Sequence, residues 1–302
     1  MHHNSIGAWR RLTVMTSVLV AGSSGLLGSS LVPMLRSRGL DVTSLSRSSN
    51  SDLKLDLCGD LDVLGVLDRV APDVIINLVS LTSVEHCEEA PNAAYLLNSK
   101  SVRNLAEWIS HSSPSTHLIQ ISTDHVYDGA GLHDEGDITI RNTYALSKLA
   151  GEIEAEKVNA TILRTNFVGR SEAPHRESLT DWVYGSLMRR EHVQVLSDVF
   201  FSPLSISTLN EIIYEVLRVK PTGVYNLGSR DGLSKSDFDF AFAELLGLPS
   251  IYMTPIESSS AKFLKATRPK NMLMDVSKFE ARMNLRLPTL LEEIQKVADE
   301  YR

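Results

Sequence analysis

Three glycines at a predicted turn between a strand and a helix constrain the fold of this chain more than any other feature. The apolar stretch SVLVA runs into Gly22, Gly25 and Gly28, and residues 26–38 have the apolar spacing of a helix. Glycines at such a turn let the backbone bend sharply and approach a phosphate, which the N–H groups of the helix N-terminus can bind. A tight turn without a ligand is the alternative. The position of the motif at the start of an alternating α/β pattern favours dinucleotide binding.

Strand-like and helix-like segments alternate through the first half of the chain. Short apolar stretches predict six strands, and amphipathic spacing predicts the helices between them. The predicted strands are SVLVAG, DVTSLS, residues 53–57, DVIINLVS, HLIQIS and ATILRT, and the predicted helices are residues 26–38, 61–70, 92–110 and 144–157. This order predicts an α/β fold with a Rossmann-type, doubly wound parallel sheet and helices on both of its faces.

The second half of the chain is less regular and predicts a smaller lobe. We expect an NAD(P)-binding Rossmann domain over residues 16–165 and a mainly substrate-binding lobe over residues 166–302, with segments that return to the sheet. Residues 1–15 are predicted to be a disordered N-terminal extension. The apolar run that follows them is needed as the first strand, so it is not interpreted as part of a signal peptide.

Composition and charge argue against several classes of function. The formal net charge is -7, and no cluster of Lys and Arg offers a surface for nucleic acid. No segment has the ~18 apolar residues that a membrane helix requires. The two cysteines, Cys58 and Cys87, rule out a disulfide framework, lack the spacing of a metal site and fit a reducing cytoplasm. We therefore expect a cytoplasmic protein with no metal, nucleic-acid or membrane partner.

Polar side chains follow the fifth predicted strand, and a Tyr-x-x-x-Lys pair opens the next helix. Tyr144 and Lys148 lie one turn apart on one face of that helix. A tyrosine with a pKa near 10 donates its proton poorly at neutral pH. A nearby ammonium and a positive nicotinamide ring would stabilise the phenolate and lower that pKa. With the Thr123 hydroxyl to bind a carbonyl oxygen, these residues are the predicted catalytic triad of a ketone reductase.

The end of the second predicted strand indicates which dinucleotide is bound. NAD-binding proteins usually have an acidic residue there for the ribose 2′-hydroxyl. This strand ends in Ser46 and Arg47, with Ser48 following, and Asp41 lies at its other end. A guanidinium and hydroxyls suit a 2′-phosphate, so NADPH is predicted, with NADH as the alternative.

Several stretches resemble the extended short-chain dehydrogenase/reductases, and within them the dTDP-4-dehydrorhamnose reductases. The G-x-x-G-x-x-G spacing is that of the extended family. The stretches NLVSLTSVEHCEE, STDHVYDG, RTNFVG, SDVFFSPL and RPKNMLMD resemble motifs of the reductases. Ser80, Glu85, Asn166 and Phe167 replace the residues that are usual in those motifs, which leaves the sugar open.

This resemblance implies an NADPH-dependent reductase of a nucleotide-linked 4-keto-6-deoxy sugar, with dTDP as the expected nucleotide. Hydride would be delivered to C4 while Tyr144 protonates the oxygen. The implied cofactor-binding residues are Gly22, Ser24, Gly25, Leu26, Leu27, Gly28, Arg47, Asp56, Leu57, Leu78, Val79, Ser80, Asn98, Tyr144 and Lys148. The implied substrate-binding residues are Thr82, Val84, Glu85, Thr123, Asp124, Asn166, Phe167 and Arg268. For Arg268, a structural role that holds the two lobes together is the alternative.

The residue after Asp124 separates reduction from elimination. Sugar-nucleotide 4,6-dehydratases of this superfamily carry Thr-Asp-Glu, whereas His125 stands here, so elimination is disfavoured. His125 is interpreted as a neutral packing or surface histidine, with a second acid as the alternative. Two other functions remain open: a non-catalytic NADP-binding regulatory subunit, which would resemble the β subunit of methionine adenosyltransferase, and an epimerase or dehydratase. A homodimer is compatible with the sequence.

Overall fold

A computed structural model describes residues 16–47, 51–59 and 61–302. The predicted extension at residues 1–15 and Ser48 lie outside these ranges. The strands are β1 (Ser17–Ala21), β2 (Asp41–Ser46), β3 (Leu53–Lys54), β4 (Val74–Asn77), β5 (His117–Thr123), β6 (Ala160–Thr165), β7 (Phe167–Val168), β8 (Val193–Leu196), β9 (Phe200–Phe201), β10 (Leu204–Ser205), β11 (Gly223–Leu227), β12 (Leu233–Ser234) and β13 (Met253–Ile256). The helices are α1 (Gly28–Ser37), α2 (Leu61–Val70), α3 (Val84–Glu89), α4 (Pro91–Tyr95), α5 (Ser101–Ser112), α6 (Thr143–Ala155), α7 (Leu179–Met188), α8 (Ile206–Val219), α9 (Lys235–Leu245), α10 (Ser277–Met283) and α11 (Leu290–Asp299).

Seven parallel strands form the central sheet, in the order β11-β6-β5-β4-β1-β2-β3. The order 3-2-1-4-5-6 within it is that of a Rossmann fold, so the predicted fold class is confirmed. The strand order reverses between β1 and β4, and parallel sheets of this kind bind ligands outside the carboxyl ends of the strands at that point. The seventh strand, β11, comes from the second half of the chain and pairs with β6.

Each central strand contributes to two cores because helices cover both faces of the sheet. In β1, Val18 and Val20 pack into one core, and Leu19 and Ala21 pack into the core on the opposite face. This alternation follows from the two-residue period of a strand. Both faces being apolar explains why the strand appears in the sequence as a continuous apolar run.

A third core belongs to the second half of the chain. It joins α7, α9 and α11 to short strands and includes Phe201, Phe238 and Phe242. The chain does not stay in this core, because α8 and α10 pack against the first face of the sheet and β11 is the seventh strand of the sheet. The domain division at residue 165 therefore stays a prediction, although segments do return to the sheet as expected.

Two predicted elements differ from the observed ones. The strand predicted at residues 53–57 ends at Lys54, and Asp56 Oδ1 accepts a hydrogen bond from Cys58 N at 3.0 Å, which turns the chain. The helix predicted at residues 92–110 is divided into α4 and α5 by a π-helical turn at Leu96–Lys100. Such turns are frequent at functional sites, and this one carries Asn98.

Close packing of α6 on the π-helical turn explains a glycine in the middle of α6. A Cβ added at Gly151 would collide with the carbonyl oxygen of Asn98. We expect Gly151→Ala to lower the free energy of unfolding by about 1–3 kcal/mol, because neither backbone can yield freely. Urea unfolding would measure this change. Gly65→Ala in α2 is the control: its Cβ would meet only the Arg69 side chain at 3.8 Å, so helix propensity should raise stability by about 0.5–1 kcal/mol. Equal effects of the two substitutions would contradict the packing argument.

Candidate active site

The glycine turn between β1 and α1 brings three segments of backbone close together. Gly22 has a φ of +83°, and a Cβ there would lie 2.9 Å from the carbonyl carbon of Leu78. A Cβ at Gly28 would lie 2.6 Å from the Gly22 carbonyl oxygen. No side chain caps the N-terminus of α1, and its first turn holds no acidic residue. An uncapped helix terminus behind a glycine-rich turn fits a diphosphate, and Ser24, Gly25, Leu26 and Leu27 form that turn.

The residues predicted to bind the adenosine part of the cofactor follow β2 and β3, at the same edge of the sheet. Arg47 is exposed directly after β2, and Ser46 Oγ lies 2.9 Å from Ser51 Oγ. Asp56 is exposed and Leu57 is buried in the turn after β3. This arrangement leaves the Arg47 guanidinium accessible to a ligand phosphate. Its role in cofactor choice stays a prediction.

Asn98 holds together the loop that follows β4. Its side-chain oxygen accepts hydrogen bonds from Ser80 Oγ at 3.0 Å and from Leu81 N at 2.7 Å. Its amide nitrogen donates to Ser147 Oγ at 2.9 Å. Asn98 is therefore bonded both to the loop and to α6. Asn98 itself is predicted to bind the cofactor. Its contacts indicate that it positions the loop of Leu78, Val79 and Ser80, which are also predicted to bind the cofactor.

The predicted triad is brought together at the carboxyl end of β5. Thr123 is the last residue of that strand, and Tyr144 and Lys148 lie in the first half of α6. The Tyr144 hydroxyl lies beside the side chains of Thr123 and Ser80, both of which lower its pKa. The Lys148 ammonium donates to the carbonyl oxygen of Ile121 at 2.7 Å. Asn142 caps the helix by accepting from Ala145 N at 2.8 Å, which fixes the first turn that carries Tyr144.

Burial dominates the acidity of the triad. It raises the pKa of Tyr144 to about 12, against the lowering effect of the Thr123 and Ser80 side chains. Burial lowers the pKa of Lys148 to about 8, although the Glu152 carboxylate acts in the opposite direction. Tyr144 thus carries its proton at neutral pH, while Lys148 is mostly an ammonium. The tyrosine is buried with Val84, Cys87, Ala94 and Ala266, and the lowering of its pKa by an ammonium and a nicotinamide ring stays a prediction.

Asp124 and Asn166, both predicted to bind substrate, are bonded to each other. Asn166 Nδ2 donates to Asp124 Oδ2 at 2.8 Å. Burial raises the pKa of Asp124 to about 6, and the bond from Asn166 lowers it. This bond joins the end of β5 to the segment after β6. Phe167, the next residue, is half-buried in β7.

His125 is buried against Tyr144. Its ring meets that of Tyr144 edge-on, with centroids 5.3 Å apart. Burial lowers the pKa of His125 to about 3, so the ring is neutral. Packing, and not a surface position, is therefore the correct alternative. Its Nδ1 finds no hydrogen-bond partner within the described residues.

Two other residues predicted to bind substrate form an ion pair with each other. Arg268 donates to both carboxylate oxygens of Glu85 at 2.6 Å. This pair joins the first turn of α3 to the segment after β13, so the contacts favour the structural alternative for Arg268. Val84 is buried beside Tyr144, whereas Thr82 is exposed. The predicted roles of these side chains in substrate binding remain predictions.

Sequence reasoning missed a buried ion pair behind the triad. Arg164 in β6 donates to Glu152 in α6 at 2.7 Å, and both side chains are buried. Glu152 also accepts from Ser122. The available signal was the position of Glu152 one turn after Lys148 on the same helix face. Lys235 and Asp239 at the start of α9 were also missed, because nothing in the local sequence relates them to Asp124.

Asp239 predicts a pH-dependent contribution to stability. Burial raises the pKa of this carboxyl to about 8, although the Lys235 charge lowers it. Between pH ~4 and ~8 the folded chain holds a proton there that the unfolded chain releases, so the free energy of unfolding falls as the pH rises. We expect Asp239→Asn to gain stability relative to the natural protein, and to gain more at pH 8 than at pH 5. Urea unfolding at both pH values would measure the difference in the free energy of unfolding between the variant and the natural protein. The same difference at both pH values would contradict the prediction.

The described part of the chain has neither a membrane-spanning helix nor a group of metal ligands. Within residues 16–47, 51–59 and 61–302, no helix is long and apolar enough to cross a membrane. In the same ranges, no group of three or more His, Cys, Asp or Glu side chains is placed to hold a metal ion.

Comparisons with known proteins place the chain in a family. The model of the family described as RmlD substrate binding domain matches residues 15–302. The probable low-salt glycan biosynthesis reductase Agl14 of Haloferax volcanii is 30% identical over 289 residues, which cover 91% of this chain and 95% of that protein. A dTDP-4-dehydrorhamnose reductase of Streptomyces griseus is 26% identical over 283 residues, which cover 87% of this chain and 86% of that protein.

A solved structure shows the same fold. The dTDP-4-dehydrorhamnose reductase of Bacillus anthracis in complex with NADP superposes with a TM-score of 0.86 at 22% identity, covering 95% of this chain and 100% of that one. The relatives are named as reductases, which agrees with the prediction of an oxidoreductase. The predicted family is thereby confirmed: the chain belongs to the RmlD substrate binding domain family, the family of the dTDP-4-dehydrorhamnose reductases.

Proposed function

We propose that this protein is an NADPH-dependent reductase of a nucleotide-linked 4-keto-6-deoxy sugar, with dTDP as the expected nucleotide. The observation that carries the proposal is that the protonated Tyr144 hydroxyl lies beside Thr123 at the sheet's carboxyl edge, with Lys148 one turn along the same helix. Family membership and the names of the reductase relatives support the same class of reaction.

Tyr144 would act as the proton donor. Its raised pKa keeps the hydroxyl protonated at neutral pH, and a ketone that becomes an alcohol must gain one proton at oxygen. The Lys148 ammonium, which lies one turn along α6, would stabilise the phenolate that proton transfer leaves behind. The apolar side chains of Val84 and Ala266 pack around the tyrosine, which keeps water from competing for that proton.

Thr123 would hold the ketone oxygen. Its hydroxyl lies beside Tyr144, and Asp124 Oδ1 accepts from it at 3.3 Å. A carbonyl oxygen placed between the two hydroxyls would accept from Tyr144, and also from Thr123 when the single Thr123 proton turns from Asp124 to the ketone, which orients the carbonyl and stabilises negative charge on oxygen. Asn166 donates to Asp124 from the other side, so that carboxylate keeps a hydrogen bond when the Thr123 proton turns away.

The glycine turn and its surroundings would hold the cofactor. Gly22, Gly25 and Gly28 leave room for the diphosphate at the N-terminus of α1, and Arg47 would bind a 2′-phosphate. When bound, NADPH supplies the hydride that reduces the carbonyl carbon. NADH remains the alternative, and the exposed position of Arg47 favours NADPH.

A dehydratase is the alternative function on which one observation, the burial of His125, bears directly. It would need an acid or base where His125 stands, and burial keeps that imidazole neutral with a pKa of about 3. An imidazole that stays neutral at working pH cannot donate a proton as a general acid. This observation favours reduction over elimination.

A panel of 4-keto sugar nucleotides tests the proposal. Oxidation of NADPH would be followed at 340 nm with dTDP- and UDP-linked substrates, and NMR of the product would give the configuration of the new hydroxyl. We expect turnover with at least one 4-keto-6-deoxy sugar nucleotide. Tight NADPH binding without turnover of any of them would refute the reductase and favour a non-catalytic, cofactor-binding subunit.

A further inference from the structure

Lys235 is held rigidly at the start of α9. Its backbone N–H donates to the carbonyl oxygen of Val199 at 2.8 Å. The preceding residue, Ser234, belongs to β12, which pairs with β9, and its side chain caps the helix by accepting from Asp237 N. Three independent contacts thus fix the Cα position and the direction in which the side chain leaves the helix.

The Lys235 side chain extends toward the candidate active site. Its Nζ lies 5.5 Å from the centre of the buried Phe201 ring. The charge interacts with the carboxyls of Asp124 and Asp239 and with Arg268, and it contributes to the low pKa of His125. The smaller lobe therefore presents this ammonium to the end of β5, where Asp124 follows Thr123.

The ammonium has no close counter-ion. Among the described residues, none of the ion pairs within 4.0 Å involves Lys235, whereas the neighbouring Arg268 is fully paired with Glu85. Asp239 does not neutralise it at neutral pH, because burial raises the pKa of that carboxyl to about 8. Its Oδ1 is buried without a hydrogen-bond partner in the described ranges. Asp124 is engaged by Asn166 at 2.8 Å.

Removing such a cation from water costs free energy unless an anion binds next to it. A half-buried ammonium loses part of its hydration, and the loss is offset only by hydrogen bonds or an opposite charge. Burial accordingly lowers the pKa of Lys235. A sugar nucleotide carries charged oxygens on its diphosphate, and on its sugar as well when the sugar is a uronate.

We propose that Lys235 is a substrate-binding residue that contacts an anionic oxygen on the diphosphate of the sugar nucleotide, since a 6-deoxy sugar carries no carboxylate at C6. This inference rests on the proposed function and adds a residue to its site. The smaller lobe would thus contribute a charge to substrate binding in addition to shaping the cleft.

Calorimetric titration of the full chain saturated with NADP⁺ tests the inference. The ligands are dTDP-glucose, UDP-glucose and UDP-glucuronate, and the variant is Lys235→Met, which keeps the alkyl stem over Phe201. Loss of a charged hydrogen bond should weaken binding by about 10- to 100-fold. A similar loss for all ligands would identify the diphosphate as the partner, and a loss confined to UDP-glucuronate would overturn the inference.

Two further variants separate a charge contact from a change in folding. Lys235→Arg keeps the charge and should recover most of the affinity. Lys157→Met removes the same charge from an exposed position, paired with Glu154 at the end of α6, and should leave affinity unchanged. The affinity for NADP⁺ and the melting temperature should be equal in all variants.

The outcomes distinguish this inference from the proposed function. If the natural protein binds sugar nucleotides and Lys235→Met binds them equally well, the inference is wrong and the reductase stands. If the natural protein binds none of the three ligands, both are wrong.

Discussion

Tyr144→Phe should lower reductase turnover by about 10²- to 10⁴-fold, the range that a general acid contributes, while the affinity for NADPH stays nearly unchanged. The substitution removes only the hydroxyl that lies beside Thr123 and Ser80. The ring would keep its packing against His125 and the apolar cluster around it. The variant loses the group beside Thr123 that is fully protonated at neutral pH, because its pKa is about 12.

Steady-state oxidation of NADPH with a 4-keto sugar nucleotide would measure the loss, and fluorescence titration would measure cofactor affinity. Tyr252→Phe is the matched control, because it removes a hydroxyl next to the β8–β13 pair of the smaller lobe. It should retain full turnover. If Tyr144→Phe also retained turnover, Tyr144 would not be the proton donor.

Arg164→Met should lower the free energy of unfolding by about 3–5 kcal/mol, because it leaves a buried carboxylate without its counter-ion. Arg164 donates to Glu152 at 2.7 Å, to Tyr127 Oη at 2.9 Å and to the carbonyl oxygen of Glu135 at 2.7 Å. The Arg164 and Glu152 side chains are 4% and 2% exposed. Glu152 stands one turn from Lys148 on α6, so its charge would act on the triad directly.

Urea unfolding measures this loss, with Arg189→Met as the control. Arg189 pairs with Glu191 on the surface, where both side chains are more than half exposed, and such pairs contribute about 0–1 kcal/mol. The double variant Glu152→Leu/Arg164→Met should be more stable than Arg164→Met alone, because it removes the unpaired charge. A single variant as stable as the surface control would contradict the assignment of a buried pair.

The parts of the site that the sequence predicted correctly depend on short-range patterns. Gly22 and Gly28 had to lie near the phosphate-binding end of α1, because a strand and a helix follow one another there. Tyr144 and Lys148 had to share a face, since a spacing of four residues is about one turn of any α-helix. The position of Thr123 followed from the end of β5, because parallel strands bring their carboxyl ends to one edge.

Long-range pairs could not be predicted in this way. Glu85 and Arg268 were both predicted to bind substrate, and the structure shows that they bind each other across 183 residues of sequence. The approach of the Lys235 charge to Asp124 likewise depends on how the smaller lobe packs against the sheet. No local pattern encodes that packing, because it is the result of many weak contacts between distant side chains.

By itself, then, the sequence determined the Rossmann-type sheet and the family and predicted which three residues meet at the end of β5, since these follow from periodicity, from glycine positions and from motifs a few residues long. Only the tertiary structure decided the electrostatics of the site. Burial keeps the proton on Tyr144, makes His125 neutral, pairs Glu152 with Arg164 and leaves Lys235 without a close counter-ion within the described ranges. The physical reason is that the pKa and pairing of a charged group depend on its solvent exposure and its neighbours in space, which the order of residues along the chain does not state.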